Sequence, residues 1–167
     1  VDNSKITGIE IQKEVAEMAQ RSVKLNDLED RVKIVNEDIK NILKESGQAK
    51  FDVVITNPPY KKKETGILNE NNVRMISRHE ITANLEDFIR VAGNQLKDYG
   101  TFYMINRPER IIDIFENLRK YKLEPKEIQF IHPQKNKAPN GLLVKAVKYG
   151  GEFLKIREPL IIYNDNG

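Results

Sequence analysis

Four consecutive residues, Asn57-Pro58-Pro59-Tyr60, carry the sharpest chemical signal in the chain. The Asn57 side-chain oxygen and the Pro58 backbone carbonyl are two acceptors close together, suited to holding the two N–H groups of a planar amine. An exocyclic amine on adenine is a poor nucleophile because its lone pair is delocalised into the ring. Acceptors that draw its nitrogen towards tetrahedral geometry restore nucleophilicity. In-line attack on a methyl sulfonium then depends on positioning and electrostatics, with no covalent enzyme intermediate. The prolines stiffen the backbone and hold the Pro58 carbonyl in place before substrate arrives. Tyr60 offers a flat face for an extruded base, a stack worth roughly 1–3 kcal/mol. The competing structural reading is a plain tight turn, because Asn-Pro marks turns in general. The apolar strand before the motif and the aromatic ring after it favour the chemical reading.

Two acidic residues complete a candidate site. Glu10, followed by Ile11, ends an alternating stretch, Lys5 to Ile11. An acid at the end of a strand in a nucleotide-binding sheet takes ribose hydroxyls; a solvated Glu near a helix N-terminus is the alternative. Asp38, followed by Ile39, ends a second strand and either accepts from an adenine amine of a cofactor or caps the next short helix.

Basic residues flank the motif. Lys61, Lys62, Lys63, Arg74, Arg78 and His79 follow it, Arg107 and Arg110 follow a later strand, and Lys135, Lys137 and Asn140 sit on a late hairpin loop. Any one of them reads as a solvated side chain. As a set beside a base pocket they are expected to contact a nucleic-acid backbone. His79 and His132 are too few and too far apart for a metal, and both are assigned hydrogen-bonding or structural roles.

The elements that must position these residues follow from periodicity. Lys5–Ile11 and Arg31–Ile39 read as strands, with a helix over Gln12–Leu25 between them carrying Val15, Met18, Ala19 and Leu25 at helical spacing. Asn26 suits a left-handed C-cap. Ile39–Glu45 is a short helix. Phe51–Thr56 is a near-continuous apolar run, expected of a strand buried on both faces in a parallel sheet. Asn84 and Asp87 form a capping box for a helix with Leu85, Phe88, Ile89, Ala92 and Leu96 on one side. Thr101–Asn106 is a strand, and Pro108 opens a helix carrying Ile111, Ile112, Phe115 and Leu118. Strands over Glu127–His132 and Leu142–Tyr149 form a closing hairpin, and Leu160–Tyr163 is a short last strand or extended tail. This alternation predicts a doubly wound α/β sheet ending in an antiparallel hairpin, one domain of 167 residues, with Glu10, Asp38 and Asn57 all at strand carboxyl ends.

Composition narrows the class. Apolar residues make up 39% and charged residues 32%, as in a folded soluble chain. The absence of Cys excludes disulfides and Cys-ligated metal and fits a reducing cytoplasm. No apolar run is long enough for a membrane span. The net charge of +3, from 28 Lys+Arg against 25 Asp+Glu, is by itself too small to name a polyanionic partner.

The stretches ITGIEIQ (6–12), ITNPPY (55–60), SRHEIT (77–82), NRPERIIDI (106–114), LRKYKLEPKEIQFIHP (118–133) and LLVKAVK (142–148) together make the chain similar to class I S-adenosylmethionine-dependent methyltransferases. Within that class it resembles the bacterial tRNA1(Val) adenine-37 N6-methyltransferases. The resemblance implies a Rossmann-like sheet with S-adenosyl-L-methionine as cofactor, held by Glu10, Ile11, Asp38, Ile39 and Asn57. It implies Asn57 to Tyr60 on the target base, tRNA as partner, no metal, and a cytoplasmic monomer or weak dimer. One departure stands out. The family's first strand and Gly-rich turn are missing, and the nine glycines include no G-x-G. That strand belongs between Lys5–Ile11 and Phe51–Thr56. The expected consequences are weak cofactor binding by this chain, and either direct pairing of those two strands or a neighbour in the vacant position. Two rival readings share the residues: methylation of a release-factor glutamine or of DNA adenine, and a non-catalytic RNA-binding module.

Overall fold

The computed structural model describes residues 4–45, 49–60 and 83–163. The chain divides into two compact units, residues 1–47 and 48–167.

In the first unit, β1 (Ile6–Glu10) and β2 (Val32–Asn36) pair in parallel, with Ile6 opposite Val32 and Glu10 opposite Asn36. The crossover is α1 (Lys13–Leu25), as expected of a parallel pair. Its inward stripe is Val15, Ala16, Ala19 and Val23, with Ala16 fully buried. Met18 and Leu25, which spacing put on that stripe, are 54% and 83% exposed. The inward face lies one residue round the helix from them, where small side chains let it approach the two-stranded sheet. Asn26 is not left-handed (φ −108°); its amide instead donates to the Ser22 carbonyl at 2.8 Å, and Asp27 takes the left-handed conformation at φ 53°. The short helix α2 (Ile39–Glu45) follows β2.

The second unit is a six-stranded sheet in the order β3-β4-β6-β5-β7, with β8 also on β5. The strands are β3 (Phe51–Thr56), β4 (Leu96–Asn106), β5 (Leu123–His132), β6 (Gly141–Lys148), β7 (Lys155–Ile156) and β8 (Leu160–Ile161). β3 and β4 are parallel, and β4–β6 and β5–β6 are antiparallel, so the expected closing hairpin is present. The helix α3 (Leu85–Gln95) carries β3 over to β4, and α4 (Ile111–Lys120) carries β4 to β5. The capping box that opens α3 is complete: Asn84 N–H donates to Asp87 Oδ2 and Asp87 N–H to Asn84 Oδ1, each at 3.0 Å.

The core lies between these helices and the sheet. Leu85, Ile89, Ala92, Leu96, Phe102, Met104, Ile114, Leu118, Leu123, Leu142, Val144 and Ala146 are all buried there. On α4 the deep positions are Ile114 and Leu118, whereas Ile112 is 67% exposed. Gly93 marks where α3 meets the end of α4: a Cβ there would stand 2.8 Å from the Tyr121 carbonyl oxygen. The Glu86 carboxylate ties the same two helices, accepting from Lys120 Nζ at 2.7 Å and Tyr121 Oη at 2.6 Å.

β4 begins five residues earlier than its sequence pattern suggests, because Leu96 already pairs with Phe51 before a bulge over residues 97–100. Tyr99 is left-handed (φ 62°) in that bulge, and buried Lys148 donates to the Leu96 carbonyl at 2.7 Å.

Two expectations about β3 are corrected. Val53 and Ile55 are 49% and 77% exposed, so the strand is not buried on both faces. β3 has β4 on one side and no partner strand on the other among the described residues, and only its Val54 face packs on the core. Nor, among the described residues, is β1 paired with β3, or either of them with a further strand in the place expected between them. Each strand keeps the parallel partner that its own crossover helix delivers, α1 to β2 and α3 to β4.

The tail strand β7 escapes the sequence reading altogether. It is held by side chains as much as by its two ladder residues: Glu127 accepts from Arg157 Nε at 2.5 Å and from Lys145 Nζ at 3.1 Å. Arg157 first, then Lys145, hold the Glu127 carboxyl below the usual glutamate range. A carboxyl whose folded-state pKa is depressed stabilises the fold fully above its unfolded value, about pH 4.3, and that contribution is lost as pH falls through the lower folded value. Glu127→Gln is therefore expected to flatten the acid limb of a stability-versus-pH curve below about pH 4.3, leaving its shape near neutrality unchanged. An acid limb identical to wild type would show that the pair does not tether the tail.

Candidate active site

The Asn57–Tyr60 corner leaves the sheet where β3 ends. Pro58 is fully buried and anchors the turn, while Asn57 stays exposed. The Asn57 side chain is therefore not spent on the protein's own core. The Tyr60 hydroxyl donates to Asn57 Oδ1 at 2.7 Å. A carbonyl oxygen has two lone pairs, so Asn57 keeps one for a second donor. Among the described residues no donor to the Pro58 carbonyl is found, and Pro58 itself is buried.

Arg107 lies against this corner. It follows β4, and its guanidinium carbon is 5.5 Å from the centre of the Tyr60 ring. Arg107 Nη1 donates to the Asn140 carbonyl at 3.2 Å, and its backbone N–H donates to Asn106 Oδ1 at 2.8 Å. Asn106 is 1% exposed, and its Nδ2 finds no partner among the described residues. A buried amide group left unsatisfied at a strand end is unusual in a folded protein. Its only sequence signal was a polar residue closing an apolar strand.

Other residues assigned to the site are distributed more widely. Arg110 is half-buried and pairs with Asp113 at 3.4 Å, so it belongs to the first turn of α4. Lys135, Lys137 and Asn140 are exposed on the β5–β6 loop. His132 Nδ1 is 2.7 Å from the Lys137 carbonyl, the structural role expected of it. Lys61, Lys62, Lys63, Arg74, Arg78 and His79 lie outside the described residues.

In the first unit, Glu10 Oε1 accepts from the Gln12 N–H at 2.8 Å, which fixes the carboxylate at the start of α1. The Glu10 carbonyl also accepts from Asn36 Nδ2 at 2.8 Å, so β1 and β2 end together. One carboxylate oxygen anchored and the other facing out is an arrangement that fits a ribose diol. Asp38 Oδ1 accepts from the Lys40 N–H at 2.9 Å, the capping alternative weighed for it. Ile11 is 46% exposed and Ile39 half-buried, offering apolar surface beside each acid.

Comparisons with known proteins point to methyltransferases. The chain is 29% identical over 142 residues to a protein from Porphyromonas gingivalis named tRNA1(Val) (adenine(37)-N6)-methyltransferase, which covers 84% of this chain and 55% of that protein. A protein of the same name from Shewanella sediminis is 25% identical over 141 residues, covering 83% and 57%. The chain thus spans about half the length of the curated relatives it matches. Among solved structures it is similar to a predicted O-methyltransferase from Agrobacterium tumefaciens, with a TM-score of 0.77 and 24% identity over all of this chain and 73% of that one. It is also similar to geranyl diphosphate C-methyltransferase from Streptomyces coelicolor, solved with S-adenosyl-L-homocysteine, with a TM-score of 0.59, 11% identity, and coverage of 87% and 63%. These likenesses identify the fold as a partial Rossmann-like class I methyltransferase fold. Residues 4–138 match the family described as Eco57I restriction-modification methylase, a stretch that takes in Glu10, Asp38, the Asn57–Tyr60 corner and Arg107, and the chain belongs to that methylase family.

Proposed function

We propose that this chain is part of an S-adenosylmethionine-dependent N6-adenine methyltransferase of RNA, acting on the adenine beside the anticodon of tRNA1(Val) in the cytoplasm. The observation that carries the reading is the Asn57–Tyr60 corner: a buried proline holds an exposed amide at the end of a strand, next to an aromatic ring. The names of the relatives support the choice of acceptor.

The cofactor supplies an electrophilic methyl group on sulfonium. This chain's residues do the rest. Asn57 Oδ1 and the Pro58 carbonyl each accept one N–H of the adenine amine and draw its nitrogen out of conjugation. Tyr60 stacks on the extruded base. Such preorganised acceptors act without rearranging during the reaction. Glu10 takes the ribose hydroxyls, Ile11 and Ile39 pack on the cofactor, and Asp38 receives its adenine amine. Lys135 and Lys137 contact phosphates.

The test is transfer of a labelled methyl group to bulk tRNA, to a protein bearing Gly-Gly-Gln, and to DNA. Label in tRNA, recovered as N6-methyladenosine beside the anticodon, is the expected result. Label in the glutamine or in DNA, with none in tRNA, would move the acceptor and keep the chemistry.

A further inference from the structure

Arg107 entered as one of several cations able to meet a nucleic-acid backbone, but its surroundings describe another task. A phosphate contact needs a guanidinium free to reach outward. This one is engaged at two points, the Asn140 carbonyl taking Nη1 at 3.2 Å and the Tyr60 ring centre 5.5 Å from its central carbon, while the Asn106 side chain fixes the residue's backbone amide at 2.8 Å. Guanidinium and aromatic faces attract through the ring quadrupole, and the planar shape of Arg suits stacking in a way that the Lys ammonium does not. Tyr60 is held at its other end by the hydroxyl bond to Asn57. The ring is thus clamped at its edge and on one face, yet it remains 38% exposed.

We propose that Arg107 is a positioning residue, which backs one face of Tyr60 so that the other face receives the target base and the Tyr60 hydroxyl keeps Asn57 aimed at the amine. The inference rests on the base-handling role proposed above. It goes further by assigning a back wall to the stacking platform and withdrawing Arg107 from the phosphate contacts. A clamped ring loses less freedom when the base arrives, and pre-ordering of this kind raises affinity with no added contact.

The test uses the whole chain, an anticodon stem-loop with 2-aminopurine in place of the adenine beside the anticodon, and the variants Arg107→Ala and Arg107→Lys. Wild type should quench the 2-aminopurine on binding. Both variants should weaken binding by about fivefold, with the slope of affinity against salt unchanged. Restoration by Arg107→Lys, together with a salt slope lowered by about one in Arg107→Ala, would identify a phosphate contact and overturn the platform. A second readout needs no RNA. The Arg107 δ-methylene protons should show an upfield ring-current shift that persists in Tyr60→Phe and disappears in Tyr60→Ala; its absence from wild type would overturn the clamp. A wild type with the ring-current shift but no affinity for the stem-loop would instead overturn the proposed function, and the platform with it.

Discussion

Asn57→Ala is expected to lower the rate of the proposed methyl transfer by roughly 10²–10³-fold, the usual cost of removing one preorganised group that acts on developing charge. The loss should fall on the chemical step, measured as a single-turnover rate with saturating cofactor and RNA. Asn57 is exposed, and its only hydrogen bond among the described residues is the one from the Tyr60 hydroxyl, which water can replace. Stability should therefore change by no more than about 0.5 kcal/mol. A variant that folds normally and turns over at the wild-type rate would remove Asn57 from the chemistry.

The largest effect on folding is expected from Phe102→Ala. Phe102 is fully buried at the centre of β4, with Val54 opposite it on β3 and Ala146 opposite it on β6. It belongs to the cluster that includes Ile89, Leu96, Met104, Ile114 and Leu118. Truncating a buried Phe costs its transfer energy plus that of the cavity left behind, about 3–5 kcal/mol. Against a total of roughly 5–15 kcal/mol for a domain, that is a fifth or more of what holds the second unit together. Urea unfolding followed by circular dichroism would read it as a lower midpoint. Ile55→Thr, on the exposed face of β3, is the matched comparison and should be nearly neutral. Equal losses in the two variants would show that the exposed face of β3 is covered in solution.

The sequence made some of this legible and hid the rest for physical reasons. Local signals survived well. The Asn84–Asp87 box is a contact three residues apart, and the proline corner is stiff wherever it is placed, so both could be read directly. The Glu10 strand end and the closing hairpin were visible because each rests on alternation over several residues. What failed depended on partners distant in the chain. The FDVVIT run looks doubly buried by composition, yet burial depends on neighbours, and among the described residues β3 has one partner strand. Met18 and Leu25 fit a helical stripe by spacing, but the smaller Ala16 is what the β1–β2 sheet accepts. The Arg107–Tyr60 contact joins residues on different strands through a register that no local pattern records. β7 is two residues long, too short for any periodicity.

The bare side of β3 has a consequence for how the protein behaves in solution. Among the described residues its second edge has no partner strand, and Val53 and Ile55 lie exposed beside it, so an extended segment of matching pattern can add there. The strand that delivers the chemistry is therefore also the one whose ladder a further strand can extend.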